Sequence, residues 1–320
     1  MGFPGGSLTM YNDWTEQLEY RIGKYIIGGK PGKNPAWLIG SIFYLGDKLL
    51  LSEKGDFDKE KAKAKIEEAI NIAENYSLVF GLDVVFPSIE SIDKILPFIS
   101  EYDIPIFLDS PDPIIRAKSY LVAKELGIND KIIANGIFID SPEEEINALR
   151  DGGIKTSVIM AFDPRNPLKS INPLERLRLL ETVLLPLAEK AGVEQVLVDA
   201  IVIDPASIAF SAETIFETKK RFGYPSGCAP ANALGPVSKS KTSIGEMYGV
   251  HGGVAVYLRI HGADYIMYGP ISRIKYVAPA VAMADSLLGY SLRRKGEKIS
   301  SNHPIKKMLR KVQKLFATSK

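Results

Sequence analysis

Short polar side chains end or follow several apolar stretches of the sequence, and they are of types that accept hydrogen bonds. These residues are Asp83, Asp109, Asn135, Asp163, Asp199 and Asn232. A buried carboxylate is costly without a partner, so several that converge on one place imply a ligand that supplies donors. At any one position, a helix cap or a turn explains Asp or Asn equally well. Asp163 precedes Pro164 and looks most like a turn residue, whereas strand-type residues flank Asp83, Asp109 and Asp199.

Few cations accompany these residues. Arg165 and Arg273 are the only arginines near the ends of candidate strands, and the chain has no glycine-rich phosphate loop. This composition disfavours a phosphate-rich substrate and suits a neutral heterocycle with many N–H groups. The 2-amino-4-oxo edge of a pterin offers adjacent donors that a carboxylate accepts in a fork. Many other N–H-rich ligands would fit equally well.

Eight apolar segments that could be strands alternate with segments of helical periodicity. The strand candidates are 37–44, 78–85, 105–109, 131–135, 155–162, 194–199, 224–228 and 264–268. Most are short, continuous and β-branched, as in parallel strands covered on both faces. Between them, residues 57–75 and 172–191 are among the predicted helices. The segment 224–228 is the weakest strand candidate because it has little apolar content.

Eight such units predict an α/β fold, a closed (β/α)8 TIM barrel, with function at the C-terminal ends of its strands. An open doubly wound sheet is the alternative, but no glycine fingerprint follows the first strand. We expect residues 1–36 to be an N-terminal extension with a hairpin that closes the bottom of the barrel. Residues 37–290 form the predicted barrel and residues 291–320 a basic tail.

Composition sets the broad class of the protein. Of its 320 residues, 46% are hydrophobic and 24% are charged, and the net charge of +2 does not indicate a polyanion-binding protein. Cys228 is the only cysteine, so no intramolecular disulfide is expected, and we interpret it as a packed small residue. Three histidines and one cysteine far apart predict no directly bound metal. Without a signal-like or membrane-length segment, we expect a cytoplasmic protein, at most peripheral to a membrane complex.

Longer motifs resemble a known family. The stretch YIIGGKPGKNPAWLIGSIFYLGDKLL, followed by GDFDKEKAKAKIEE, is similar to the N-terminal region of the H subunit of tetrahydromethanopterin S-methyltransferase. The later stretch YPSGCAPANALG resembles that family's Gly-Cys-x-Pro-x-Asn segment. The order LDVV, FLDS, IIAN, VLVDA and PANA also resembles the pterin-binding methyltransferases that serve corrinoid proteins. The resemblance covers residues 20–290.

This resemblance implies a methyltransferase of one-carbon metabolism and methanogenesis. Its methyl donor would be an N5-methyl-tetrahydropterin, tetrahydromethanopterin or a relative, and its acceptor the cob(I)alamin of a separate corrinoid protein. Asn232 would lie near the N5-methyl group, with Asp83 as a second catalytic residue. The expected pterin-binding residues are Asp109, Asn135, Asp199, Asp163 and Ser41. Relatives of this kind also imply a homodimer.

The basic tail carries ten Lys or Arg residues and a single acidic residue, Glu297. Residues 304–316 place apolar side chains at helical spacing opposite the basic ones, which predicts an amphipathic helix. It could dock on another subunit of a methyltransferase complex, a corrinoid protein or an anionic membrane surface. Packing on its own barrel is an equally good prediction. Without a second basic patch, nucleic acid is not an expected partner.

Two other functions compete with methyl transfer. A pterin-barrel enzyme of the dihydropteroate synthase type would share the fold but should need more basic residues for a pyrophosphate. A non-catalytic scaffold subunit would bind a corrinoid partner without removing a methyl group from any pterin.

Overall fold

The computed structural model describes Tyr11, residues 14–239 and residues 243–310. Its strands are β1 (Glu19–Ile22), β2 (Tyr25–Gly28), β3 (Trp37–Ile42), β4 (Val79–Val85), β5 (Ile106–Asp109), β6 (Ile132–Ile137), β7 (Thr156–Met160), β8 (Gln195–Asp199), β9 (Ser226–Cys228) and β10 (Tyr265–Pro270). The parallel strands β3 to β10 close into a barrel because β10 pairs with both β9 and β3. All eight predicted strands are therefore present, and the closed barrel is confirmed over the open sheet.

Helices surround the barrel. They are α1 (Lys59–Asn75), α2 (Ile89–Ser100), α3 (Pro113–Glu125), α4 (Glu143–Gly152), α5 (Pro167–Ser170), α6 (Pro173–Leu179), α7 (Leu185–Lys190), α8 (Ser207–Phe222), α9 (Ala231–Lys239), α10 (Ile244–Ile260) and α11 (Ile274–Arg294), with 3-10 turns at Asn129–Lys131 and Ile271–Arg273. The sequence illustrates why they form. In α1, the Asp58 side chain accepts the Lys61 N–H at the N-terminus, and Ile66 lies on the buried face.

One predicted helix contains a wider turn in the structure. The helix expected over 172–191 is present as a continuous run of α6, a π-helical turn at Leu180–Leu184 and α7. Pro186 lies at the start of α7. A proline has no N–H to give to the preceding turn and its ring needs room there, so a wider π turn accommodates it.

The weakest strand candidate is shorter than expected. Strand β9 contains three residues, all buried despite their small side chains. A Cβ on Gly227 would collide with the carbonyl oxygen of Tyr265, so the neighbouring strand fills the space where a side chain would be. The low apolar content of 224–228 therefore reflects close packing of two strands rather than exposure.

The N-terminal hairpin closes the bottom of the barrel, as predicted. Strands β1 and β2 pair antiparallel around Gly23–Lys24, and the glycines at 28, 29 and 32 form turns that follow the hairpin. Ile22 and Ile27 are buried in the cluster that fills the barrel interior. The Trp37 indole N–H also donates to the Ile26 carbonyl at 3.0 Å. The hairpin and the barrel thus share one core.

The described part of the tail packs on the barrel. Helix α11 continues to Arg294, past the boundary expected at 290, and residues 305–310 are helical. Ile305 and Met308 are buried, whereas Lys306, Lys307 and Arg310 are exposed. The predicted amphipathic pattern is thus confirmed up to residue 310 and faces this protein's own barrel. Residues 311–316 of the predicted helix lie outside the described residues. None of the described helices is long and apolar enough to cross a bilayer.

Candidate active site

The alternation of side chains along the strands builds a polar layer at the C-terminal mouth of the barrel. Successive strand residues point to opposite faces, so each second residue points inward. On β5 and β6, the inward apolar residues Phe107 and Ile133 are followed two positions later by Asp109 and Asn135. On β8, Leu197 is followed in the same way by Asp199. The apolar interior therefore ends in a ring of acceptors.

These residues line one cup of about 720 Å³. Its lining includes six residues expected from the sequence, Ser41, Asp83, Asp109, Asn135, Asp199 and Asn232. Pairing between neighbouring strands places these side chains at the same height along the barrel axis. Ser41 is in register with Asp83, and Asp109 is in register with Asn135. The cup thus gathers side chains from positions 41 to 232, as the barrel hypothesis requires. Its volume is in the range of sites for drug-sized ligands.

Asp83 is the centre of a short hydrogen-bonded chain. Its Oδ2 accepts the Ser41 hydroxyl at 2.7 Å and its Oδ1 accepts the Asn135 amide at 3.3 Å. Burial raises the pKa of Asp83 to about 6, and both hydrogen bonds act against that rise. The amide orientation leaves the buried Oδ1 of Asn135 without a partner among the described residues. That oxygen can accept a hydrogen bond from a ligand.

Asp199 is buried and Asp109 is partly buried, and neither has an ion pair with any described residue. Burial raises the pKa of Asp109 well above its usual value, and the negative charge of Asp83 adds to the rise. Burial likewise raises the pKa of Asp199 to about 7, against the N–H of Ile201, which donates to its Oδ1 at 2.6 Å. Asp83, Asp109 and Asp199 are therefore protonated more readily than ordinary aspartates. They offer acceptors and can also hold protons near neutral pH.

The backbone after β8 is strained at the edge of this cup. Ile201 has a φ of +43°, in the left-handed region that β-branched residues rarely adopt. Its carbonyl accepts the Arg176 guanidinium at 3.1 Å and the Ser211 hydroxyl at 2.6 Å. These contacts hold the N–H of Ile201 against Asp199. Strain that surrounding contacts maintain is a frequent feature of binding sites.

Two buried arginines behind the cup were not identified from the sequence. Arg116 pairs with Glu145 at 2.5 Å and donates to the Ser110 carbonyl, next to Asp109. Arg176 is fully buried and donates only to backbone carbonyls, among them that of Ala200, next to Asp199. Both lie on helices, at positions that the helical periodicity predicts to face the core. An arginine at a position where the helix otherwise carries apolar residues is the one feature of the sequence that could have identified them.

Asp163 does not line the cup. The expectation that it lies at one rim with the other five Asp and Asn residues is therefore corrected. It follows β7 and lines a separate cleft of about 250 Å³ with Asn166 and Lys169. Its carboxylate accepts the backbone N–H of Arg165 and pairs with that guanidinium at 2.9 Å, which lowers its pKa. The turn suggested by Pro164 therefore directs Asp163 away from the mouth. Inside the barrel, the inward position at the end of β7 belongs to Met160, which does line the cup.

The remaining candidates have simpler surroundings. Cys228 is fully buried, and burial raises its thiol pKa, which confirms the packed residue expected from the sequence. Asn232 lies at the mouth, in the first turn of α9. Among the described residues, no three His, Cys, Asp or Glu side chains are grouped as metal ligands.

Comparisons with known proteins agree with this geometry. The family model described as tetrahydromethanopterin S-methyltransferase MtrH subunit matches residues 15–299. The chain belongs to the MtrH family. It is 31% identical over 309 residues to the H subunit of the tetrahydromethanopterin S-methyltransferase of Methanothermobacter thermautotrophicus, a match covering 92% of this chain and 98% of that protein. The corresponding protein of Methanocaldococcus jannaschii is also 31% identical, over 317 residues, with the same coverage of 92% and 98%. The family resemblance of the sequence motifs is thus confirmed, and the family is one of methyltransferase subunits.

Solved structures with a similar fold include dihydropteroate synthases. The Yersinia pestis enzyme with a pterin–sulfa conjugate superposes with a TM-score of 0.57 at 11% identity, over 86% of this chain and 100% of that one. The Vibrio fischeri enzyme gives 0.57 at 12% identity, over 85% and 98%. At such identities the likeness extends to the barrel fold alone. It places this chain among TIM barrels.

Proposed function

We propose that this MtrH-family protein moves the N5-methyl group of a methyl-tetrahydropterin, tetrahydromethanopterin or a relative, to cob(I)alamin held by a corrinoid protein. One observation carries the proposal: buried and partly buried acceptors converge in one cup with no cation paired to them among the described residues. Asp109, Asp199 and the unpartnered Oδ1 of Asn135 supply them. The names of the relatives provide the pterin and the methyl group.

A reduced pterin ring matches this set of acceptors. Its N–H and 2-amino groups form a fork of donors, and a carboxylate accepts such a fork through both oxygens. Asp199 has one oxygen free of described donors, since Ile201 occupies only Oδ1. Asn135 adds its buried Oδ1 on the neighbouring side of the barrel. The apolar lining, which includes Val85, Met160 and Met267, would contact the faces of the ring.

Departure of the methyl group requires positive charge on N5, because a neutral tertiary amine is a poor leaving group. Asp83, with a pKa raised to about 6, and Asp109 beside it can hold a proton close to the ring. Their negative forms also stabilise a cationic N5. Asn232 would hydrogen-bond N5 as its charge develops. Cob(I)alamin supplies the nucleophile when the corrinoid protein is bound.

The mouth must stay open to that partner. Asn232 lies on the rim, so the methyl group of a ring bound below it would face outward. Orientation of the methyl group toward an incoming cobalt centre would contribute much of the rate. The corrinoid protein, further subunits of a methyltransferase complex and a homodimer remain the partners in this proposal. A cytoplasmic location, peripheral to a membrane complex, is part of the same proposal.

The synthase-type alternative is less well supported. A pterin pyrophosphate would need several cations at the mouth, and Arg273 is the only Lys or Arg among the described residues that line the cup. The family match also favours methyl transfer over synthase chemistry. A non-catalytic scaffold would still bind a corrinoid partner but would leave the donor methylated.

The test follows the visible spectrum of cobalamin during incubation with 5-methyl-tetrahydromethanopterin and cob(I)alamin. We expect the cob(I)alamin bands to disappear as methylcob(III)alamin forms. Asp199→Ala should reduce pterin affinity at least about tenfold, since hydrogen bonds to charged groups are lost. Tight binding of a corrinoid protein without any demethylation of the pterin would support the scaffold instead and refute the proposal.

A further inference from the structure

Among the described residues that line the acidic cup, Arg273 is the only Lys or Arg. Arg273 lies three residues after β10, at the end of the 3-10 turn Ile271–Arg273, and is half-buried. Its neighbours in the cup lining include Tyr44 and Gly46, from the segment that follows β3. Among the described residues, the cup therefore has acceptors on its floor and one strong donor group at its edge.

Arg273 has no ion-pair partner among the described residues. Arg259 pairs with Asp285 at 2.6 Å and Arg116 with Glu145 at 2.5 Å. The third buried arginine, Arg176, donates to backbone carbonyls through Nε and Nη1, while its Nη2 has no partner among the described residues. Partial burial lowers the pKa of Arg273, and only the phenols of Tyr44 and Tyr276 act against that effect. Its charge is thus partly removed from water without an anion to compensate.

The described surroundings of Arg273 do not neutralise its guanidinium. Gly269 has a φ of +88°, and a Cβ there would lie 2.8 Å from the Cβ of Ala231 and 3.6 Å from Nη1 of Arg273. His251, packed nearby, is buried, and its Nε2 has no partner among the described residues. Burial and the charge of Arg273 both lower the pKa of His251, which disfavours a second positive charge there. The described neighbours of Arg273 therefore supply no anion for its charge.

We propose that Arg273 binds an anionic group, a carboxylate or a phosphate, on the side arm of the methyl donor. The inference rests on the proposed function, because it assumes that the ring occupies the acidic floor. With the ring held there, the side arm must leave through the mouth, where Arg273 can form a bidentate contact with an anion. The floor carboxylates repel the same anion, so the two parts of the cup orient the donor in one direction. Arg273 thereby selects donors with a charged side arm over bare pterins.

The test compares two methyl donors by calorimetric binding. One is 5-methyl-tetrahydromethanopterin, which has an anionic side arm, and the other is 5,6,7-trimethyl-tetrahydropterin, which has none. Arg273→Met should weaken binding of the first about 10- to 100-fold and change the second far less. Arg273→Lys should recover only part of the loss, since an ammonium group cannot make the forked contact. Arg165→Met is the matched control, because Arg165 already pairs with Asp163 outside the cup.

Three results would overturn the assignment. Equal losses for both donors would mean that Arg273 supports the fold of the rim, and no loss for either would mean that it contacts neither donor. Thirdly, donor affinities could be unchanged while turnover falls with cobalamin but not with cobinamide, which lacks the nucleotide phosphate. The anion would then belong to the corrinoid. A failure of the proposed function looks different, since the wild-type protein itself would then bind neither pterin, or would bind them without passing the methyl group to cob(I)alamin.

Discussion

Charged side chains are buried at both ends of the barrel, but the carboxyl groups of the cup differ from those at the N-terminal end in having no paired cation within the described part of the chain. At the N-terminal end, Lys219 pairs with Asp264 at 2.7 Å and Arg259 with Asp285 at 2.6 Å, all almost completely buried. At the C-terminal end, the carboxyl groups of the cup have no such cation among the described residues. The first group of residues, Lys219, Arg259, Asp264 and Asp285, is called the basal network below.

The basal network satisfies its charges within the chain. Lys219 also donates to the Gly29 carbonyl, and Arg259 to the Asn34 carbonyl, so the network fastens the segment after the hairpin to the barrel. A buried ion pair gives little net stability, but removing one partner leaves a buried charge and is severely destabilising. The desolvation of the cup carboxyls has no such compensation, which is the pattern expected where a ligand completes the site. Carboxyl groups are buried at both ends, so burial alone does not distinguish them. What distinguishes the C-terminal end is that the carboxyl groups of the cup have no cation partner among the described residues.

The largest expected effect is in the basal network. Asp264→Asn should lower the free energy of unfolding by about 3–5 kcal/mol, because the charge of the buried Lys219 loses its partner. Urea denaturation measures this change. Asp163→Asn is the control, since its partner Arg165 is exposed and such pairs contribute about 1 kcal/mol or less. Equal effects of the two substitutions would break the comparison between the ends.

At the mouth, Asn232→Ala should act on rate rather than on folding. We expect kcat for methyl transfer to fall about 100-fold, the typical loss when one hydrogen bond to a developing charge is removed, here from the protonated N5 to the amide oxygen of Asn232. The dissociation constant of the pterin should change much less, because the contact strengthens only as N5 becomes cationic. Single-turnover rates and calorimetry separate the two quantities. Asn166→Ala, in the neighbouring cleft, provides a control; equal losses in rate and affinity would place a different residue at N5.

Replacing a carboxyl group of the cup by a neutral amide should raise the free energy of unfolding, whereas Asp264→Asn in the basal network should lower it. The pKa of Asp199 is raised to about 7 in the folded protein, from an ordinary value of 3.8. Its contribution to stability is therefore complete below about pH 4 and is lost as the pH rises through 7. Asp199→Asn removes that loss and should raise the free energy of unfolding by about 1–3 kcal/mol at pH 8. Denaturation at pH 5 should show a much smaller difference, and a gain independent of pH would contradict this explanation.

The smallest expected change is in the free energy of unfolding when the tail is altered. The described part of the tail resembles the basal network, because its buried side chains have their contacts within this chain. Met308→Ala should lower the free energy of unfolding by about 1–2 kcal/mol, because this side chain is buried in the core cluster. Lys306→Ala, on the exposed side of the same turn, should change it by less than about 0.5 kcal/mol. Thermal denaturation compares them. If neither has an effect, the tail helix does not support the barrel and is free for a partner.

The sequence predicted the elements of the barrel because each strand and helix carries its own local pattern. The positions of Asp109 and Asp199 at the ends of candidate strands, flanked by strand-type residues, also predicted them at the mouth. It did not predict the ion pair of Lys219 with Asp264, because 45 residues separate them and only the closed barrel brings them together. Nor did it exclude Asp163, since local sequence does not define the direction in which a turn points its side chain.

The most direct test of the whole account measures binding of 5-methyl-tetrahydromethanopterin at pH 7 to the wild-type protein, Asp199→Asn and Asp112→Asn. Asp112 caps α3 outside the cup, and asparagine caps helices equally well. The account predicts that Asp199→Asn binds at least about tenfold more weakly than the other two. Equal affinities for all three proteins would contradict the claim that the unpaired acids of the cup hold the pterin.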